Sequence, residues 1–281
     1  MAGLSISKAW DDARPIIARD GRLMFIIALA TVVLPQAILT LVAPDSGETV
    51  DGAEGSSFLL LGLNLLLALV NVVGSIAIAT LALTKGASVA DGLMRGLRRL
   101  LPTIGASFVL LIVVMAIVFG LMLIGFAGSL PDLSDPEAMP EVSALGVFAV
   151  LAILPILLFV GVRFMMMTPV IAAENEGIFG ILRRTWRLTS GHFWRLLGFL
   201  ILFGIGAIVF ILGTTLVGGL LVKLLLGDPD PLTPAALVMG LISGLAAAVI
   251  TIVYSTILAR LYLQLAGKPA DPDAEELRAA D

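Results

Sequence analysis

The chain holds no cysteine and a single histidine, His192, among its 281 residues. Disulfides and thiolate metal sites are therefore excluded. His192 has no paired carboxylate near it in the sequence, and no His/Asp/Glu cluster has metal-ligand spacing. No glycine-rich phosphate loop ending in Lys-Ser/Thr occurs, and no Gly-x-Ser-x-Gly elbow. Charged residues are scarce, at 14% of the chain. None of them falls near the middle of a long apolar run, where a proton- or ion-coupled carrier places its Asp, Glu, Lys or His. These absences point away from catalysis, and a non-enzymatic protein without cofactor or metal is expected.

What the chain has instead is hydrocarbon. Hydrophobic residues make up 59% of it, with a mean hydropathy of +1.09, which no soluble domain of this size shows. Apolar runs recur at 23–42, 58–83, 103–127, 144–167, 197–221 and 235–258. Each is long enough, at 1.5 Å rise per residue, to cross a hydrocarbon core about 30 Å thick. The first run follows a polar arm, is itself of spanning length and is not followed by a small-x-small cleavage site, so no cleaved signal peptide is expected.

The connections alternate in charge. Lys8, Arg14, Arg19 and Arg22 precede the first run. Lys85, Arg95, Arg98 and Arg99 follow the second; Arg183, Arg184, Arg187 and Arg195 follow the fourth, with Arg163 at its approach. Arg260, Lys268 and Arg278 end the chain. Of the 17 Lys and Arg residues only Lys223 falls on the other side. Connections 43–57, 129–143 and 227–234 are acidic and carry no base. Basic loops stay in the cytoplasm, so six crossings with both termini inside satisfy every loop. The net charge of −4 does not bear on this, because only Lys and Arg orient the chain. A bacterial inner membrane is expected from the Ala/Gly/Leu-rich composition and the lack of an organelle-targeting segment. Acidic outer loops argue against capture of nucleic acid.

Each basic segment reads as a short amphipathic helix leading into a span: 4–19, 88–101 and 177–188. In the second, Val89, Leu93, Gly96, Leu97 and Leu100 recur at helical spacing, and Ser88 with Asp91 marks a helix start. In the third, Ile178, Ile181, Leu182, Thr185 and Leu188 form one face. The expected architecture is all-α: six transmembrane helices arranged as three parallel helix-hairpin repeats (4–87, 88–176, 177–267), each preceded by a cytoplasmic amphipathic interfacial helix, followed by a disordered tail, 268–281. Such helices rest in the headgroup layer, where each base contributes about 1 kcal/mol against anionic lipid, or they dock a partner.

Polar residues inside the runs are few: Gln36 after Pro35; Asn64, Asn71 and Ser75 on one helix face; Thr214 and Thr215; and hydroxyls from Ser243 to Thr256. They would line a path for a substrate, or they bond helix to helix at about 0.6 kcal/mol per contact. Gly240, Gly244 and Ala248 form a small-xxx-small face suited to close helix packing.

Residues 162–198 carry the most specific pattern. An Arg near the end of a span, then Pro, a small apolar run, Glu, Gly, Arg-x-Trp-x-Leu, Gly, x-Phe-Trp-Arg and Gly are met here by Arg163, Pro169, Glu174, Gly177, Arg184, Trp186, Leu188, Gly191, Phe193, Trp194, Arg195 and Gly198, with Thr185 where Ser is usual. This resembles the membrane domain found beside glycerophosphoryl diester phosphodiesterases and the related stand-alone bacterial membrane proteins of the YciC-like group. The resemblance implies a six-span helical domain. It carries over no catalysis, which in fused relatives belongs to a separate soluble barrel domain. Within the motif, Glu174 or Glu176 is expected to pair with Arg183, Arg184 or Arg187, and Arg163 with Glu174. Gly177 is expected to permit a turn, Gly191 to break a helix, and Pro169 to end or kink the fourth span. The partners expected are membrane lipids, in particular anionic headgroups, and a cytoplasmic or membrane protein; the alternative is a transporter or channel for a lipid or small apolar solute.

Overall fold

The computed structural model describes residues 4–42, 54–126 and 144–267. Most of the acidic connections 43–57 and 129–143, and the tail 268–281, lie outside the described residues. The regular structure within them is helical throughout. Helix α1 (Ile6–Ala28) passes through a π-helical turn (Leu29–Val33) into α2 (Leu34–Val42); then follow α3 (Glu54–Leu83), α4 (Val89–Phe126), α5 (Ala144–Phe164), α6 (Met167–Ala173), α7 (Ile178–Thr189), α8 (Phe193–Leu226) and α9 (Pro234–Ala266). Among the described residues six stretches are long and apolar enough to cross a membrane: Ile6–Val42, Leu60–Leu83, Val89–Leu123, Gly146–Ala173, Phe193–Leu226 and Pro234–Ala266.

Local chemistry sets the helix ends. At α4 the Ser88 hydroxyl accepts the Asp91 N–H (3.1 Å) while Asp91 accepts the Ser88 N–H (3.0 Å), a reciprocal cap. Thr233 accepts the Ala236 N–H at the start of α9, Pro234 takes the first helical position, and Gly267 closes the helix in the left-handed region. The π turn has a cause in Pro35, which has no N–H to give the Thr31 carbonyl. The ladder slips by one residue there, so that the Leu34 N–H bonds to the Leu29 carbonyl.

Two of the three expected interfacial helices are not separate elements. The segment 4–19 is the first half of α1, and 88–101 is the first third of α4. Both pass into their spans without a break in the helix, with Pro102 at the junction in α4, so neither stands apart from its span. Only the third, α7, stands alone. In α4 the inward face differs in part from expectation. Gly96 is buried as expected and Gly92 joins it, but Leu97 is exposed. A Cβ on Gly96 would meet the Val73 carbonyl oxygen at 2.6 Å, and one on Gly92 would meet Leu81 at 2.7 Å, so the two glycines let the α4 backbone lie directly on α3.

The inner helices are α1, α3 and α9: 39%, 44% and 33% of their apolar windows are buried, against 6–11% for α4, α5 and α8. α9 packs against α1, α2, α3, α6 and α8. Its Gly240 seats against Ala37 and Thr40, and its Gly244 against Val33, so the small-residue face of α9 grips the first span. Toward its other end α9 is buried without interruption from Ser255 to Leu263. The clusters around it join Leu4, Ala9, Met166, Leu196 and Tyr262 on one side, and Ile16, Met24, Ala77 and Leu81 on another. The packed core therefore sits at the end where α1 and α8 begin and α3 and α9 finish, which is the basic end. Along their spans α4, α5 and α8 present Phe108, Phe148, Leu154, Leu202 and Leu216 outward, a surface suited to lipid tails.

Candidate functional site at the basic end

The motif residues fold into one corner, where α5 gives way to α6 and α7 before α8. Pro169 occupies the first turn of α6, and the helix breaks at Met165–Met166, before it rather than at it. The missing N–H of Pro169 would have served the Met165 carbonyl in a continuous helix. Gly177 precedes α7 in an extended conformation (φ −80°), and a Cβ there would touch nothing within 4 Å; the expected need for glycine at this turn is not met. Gly191 does have a left-handed backbone (φ +85°) and ends α7 before α8 starts.

Glu174 pairs with Arg184, whose Nε donates to both carboxylate oxygens at 2.9 and 3.0 Å. The Tyr262 hydroxyl, from the buried end of α9, donates to Glu174 Oε1 at 2.6 Å. Burial works against the Arg184 charge, but the Glu174 carboxylate more than compensates, holding the guanidinium more firmly protonated than an ordinary arginine. Arg163 does not join this pair. Its guanidinium lies 4.6 Å from the Trp186 ring centroid and 5.2 Å from that of Phe159, and Nη1 donates to the Ser190 hydroxyl. Phe159, Phe193 and Trp194 continue the aromatic cluster, with Trp194 80% exposed at its rim. Arg195 reaches the N-terminal arm, donating from Nη1 to the Leu4 carbonyl at 3.1 Å. Arg260, buried, donates to the Ala82 carbonyl in the last turn of α3 at 2.6 Å.

The arginines thus fall into two groups. Arg163, Arg184, Arg195 and Arg260 tie elements of the chain together. Arg14, Arg22, Arg98, Arg183 and Arg187 are exposed. On α7 the division follows helix phase: Ile181, Thr185 and Leu188 are buried, whereas Phe179, Arg183, Trp186 and Arg187 face out. Among the described residues no three His, Asp or Glu side chains stand close enough to share a metal ion.

The intramembrane polar residues do not converge. Asn64 and Asn71 are exposed on α3. Asn64 donates to the Leu60 carbonyl and Ser75 to the Asn71 carbonyl, each four residues back on the same helix. Thr214 and Thr256 do the same within α8 and α9. Gln36, half-buried on α2, offers its own carbonyl to the Thr40 hydroxyl. An apolar groove of about 540 Å³ lies elsewhere, between the start of α1 and the middle of α8 and α9, lined by Trp10, Phe199, Phe203, Phe210 and Val253. Sequence patterning did not indicate it, because its walls come from three distant segments.

The sequence profile of one domain family, domain of unknown function DUF7847, matches residues 4–265. No curated protein and no solved structure matches the chain.

Proposed function

We propose that this chain, which belongs to the DUF7847 family of domains of unknown function, is a non-enzymatic integral protein of the bacterial inner membrane that acts as an accessory or scaffold. In this reading the basic end faces the cytoplasm with both termini, and the three units 4–87, 88–176 and 177–267 are tandem hairpins of one orientation. Helix α7 lies along the headgroup layer, its apolar face inward. The observation that carries the reading is the division of the arginines: the core at the basic end is closed and tied by internal pairs, while a further set of cations stays exposed around it. Exposed bases at a membrane surface attract anionic headgroups and acidic partner surfaces. The pattern of residues 162–198 supports kinship with the membrane domain found beside glycerophosphoryl diester phosphodiesterases.

Native mass spectrometry of the protein released from its own membrane tests this. Retained anionic lipid or a stoichiometric protein partner is the expected result; a chain that emerges bare, with neither, overturns it. The apolar groove between α1, α8 and α9 favours a second reading, passage of a lipid or small apolar solute. Lipid scrambling by the purified protein in sealed vesicles, lost when Gly206→Phe fills the groove, would decide for that reading.

A further inference from the structure

Between the α3–α4 turn and the first turns of α4 lies a cleft of about 710 Å³, lined by Thr80, Lys85, Asp91, Arg95, Arg98 and Arg99, with Asn175 at its edge. Arg95, Arg98 and Arg99 bring three guanidinium groups to a lining whose one acid is Asp91. The acid is already engaged, since Asp91 Oδ2 accepts both the N–H and the hydroxyl of Ser88. Arg99 donates to the Asn175 side-chain oxygen and to the Glu176 carbonyl (3.1 Å), neutral acceptors that hold the guanidinium without cancelling its charge. Arg95, one helical turn earlier, reaches the same Asn175 oxygen only at 3.5 Å, and its Nε is buried with no hydrogen-bond partner. Among the described residues no carboxylate pairs with Arg95, Arg98 or Arg99. Like charges at i and i+4 repel, and a desolvated, unpaired donor is costly, so the cleft suits an anion that the described residues do not supply.

We infer that this cleft binds a phosphate group, with Arg95 and Arg98 as its principal donors and Arg99, braced by Asn175, as the charge behind them. Guanidinium forks match phosphate oxygens in shape as well as charge. The source of the phosphate is a membrane lipid or a free phosphate compound. The lipid is favoured by what adjoins the cleft. Met94 lines it, and Leu97, Leu101, Ile104 and Phe108 continue from Met94 along one face of α4, all exposed. That spacing forms an unbroken apolar stripe, placed to carry the acyl chains of a lipid whose phosphate sits among the arginines. The inference rests on the headgroup-contact reading above and assigns it to one site.

The test uses the full chain, stripped of lipid in detergent and titrated in native mass spectrometry with phosphatidylglycerol, with phosphatidylcholine and with inorganic phosphate. The wild type is expected to hold one phosphatidylglycerol in preference to phosphatidylcholine. Arg95→Gln/Arg98→Gln is expected to weaken that binding about tenfold or more, the loss of at least one charge-assisted contact. Lys223→Gln, an exposed base at the opposite end of the molecule, is expected to leave it unchanged. Arg98→Gln alone, at an exposed position, keeps the test open if the double variant does not fold. Inorganic phosphate that raises the melting temperature of the wild type but not of the variant, without lipid preference, assigns the same cleft to a free phosphate compound. Equal phosphatidylglycerol binding by wild type and cleft variants overturns the site and leaves the headgroup reading standing. A wild type that binds neither probe overturns the site and removes the lipid limb of that reading as well.

Discussion

Replacing Glu174 by alanine tests how the corner between α6, α7 and α9 is held. The carboxylate is 15% exposed, Arg184 is 29% exposed, and Tyr262 is 0% exposed. These differences divide the cost. Arg184 can turn to water once its partner is gone, so its share is that of a half-solvated ion pair, about 1 kcal/mol or less. The Tyr262 hydroxyl cannot. Its 2.6 Å bond to an ionised acceptor is of the stronger kind, worth about 1.5–3 kcal/mol. Glu174→Ala is therefore expected to destabilise by about 2–4 kcal/mol, Glu174→Gln by roughly half of that because an acceptor remains, and Tyr262→Phe by about 1–1.5 kcal/mol. The decisive quantity is the coupling. Once Glu174 is gone the bond that Tyr262→Phe removes is already lost, so Glu174→Ala/Tyr262→Phe should cost little more than Glu174→Ala alone, a coupling energy of about 1–1.5 kcal/mol. Equilibrium unfolding in mixed micelles with rising SDS, followed by helix content and tryptophan fluorescence, gives all four corners of the cycle. Strictly additive losses, or an unchanged midpoint for Glu174→Ala, would refute the reasoning.

The glycines provide sharper contrasts. A Cβ on Gly240 would lie 2.8 Å from the Ala37 Cα, and one on Gly244 2.9 Å from the Val33 Cα, both rigid backbone. Gly240→Ala is expected to lose about 1–2 kcal/mol net of its better helix propensity, whereas Gly213→Ala on lipid-facing α8, with nothing within 4 Å, should be neutral or slightly stabilising; the same unfolding assay reads both. Gly191→Ala, forced to keep φ +85°, should lower stability by about 1 kcal/mol, while Gly177→Ala at φ −80° should not. Because the chain has no cysteine, Arg187→Cys and Asp228→Cys each introduce a unique label. In sealed inside-out vesicles an impermeant maleimide is expected to react with the first and not the second, and the reverse result would invert the assigned topology.

The spans were legible because hydropathy reports the environment of a side chain directly, and each apolar run predicted a membrane-spanning helix. The reciprocal Ser88–Asp91 cap and the break at Gly191 were legible too, because both depend on neighbours a few residues away. Continuity was not. The polar first turns of α1 and α4 look like surface helices in sequence, yet amphipathicity says which face is dry and nothing about whether the backbone bends at the end of the pattern. The same limit applies to Leu97, counted beside Gly96 in the apolar face of α4 although the close approach to α3 runs through Gly96 and Gly92. Gly92, a contact without a side chain, leaves no hydrophobic signal. Pro35 was legible as a disruption, but whether a helix answers a missing N–H with a kink or a π turn depends on what grips it, here Gly74 against Thr31 and Gly244 against Val33.

Within the motif, sequence spacing left three arginines as partners for Glu174, and helix phase chose among them. Arg184 stands between the buried face of α7 and its exposed face, the position from which a side chain reaches back to the α6–α7 turn, while Arg183 and Arg187 lie outward. Tyr262, 88 residues away, was out of reach of any local argument. Arg163 shows the opposite case: a base near a carboxylate in sequence that the fold gives to an aromatic face, because Trp186 arrives one turn after Arg183 on the side of α7 that Phe159 also meets. The consequence for function is that the most specific motif in the chain describes how the basic end is built. What that end contacts is left to cations outside the motif, Arg95 and Arg98 among them, whose spacing in sequence looks like an ordinary solvated helix face. Their role follows from position: among the described residues no carboxylate pairs with either, and they stand where the polar turns of α4 meet its lipid-facing stripe.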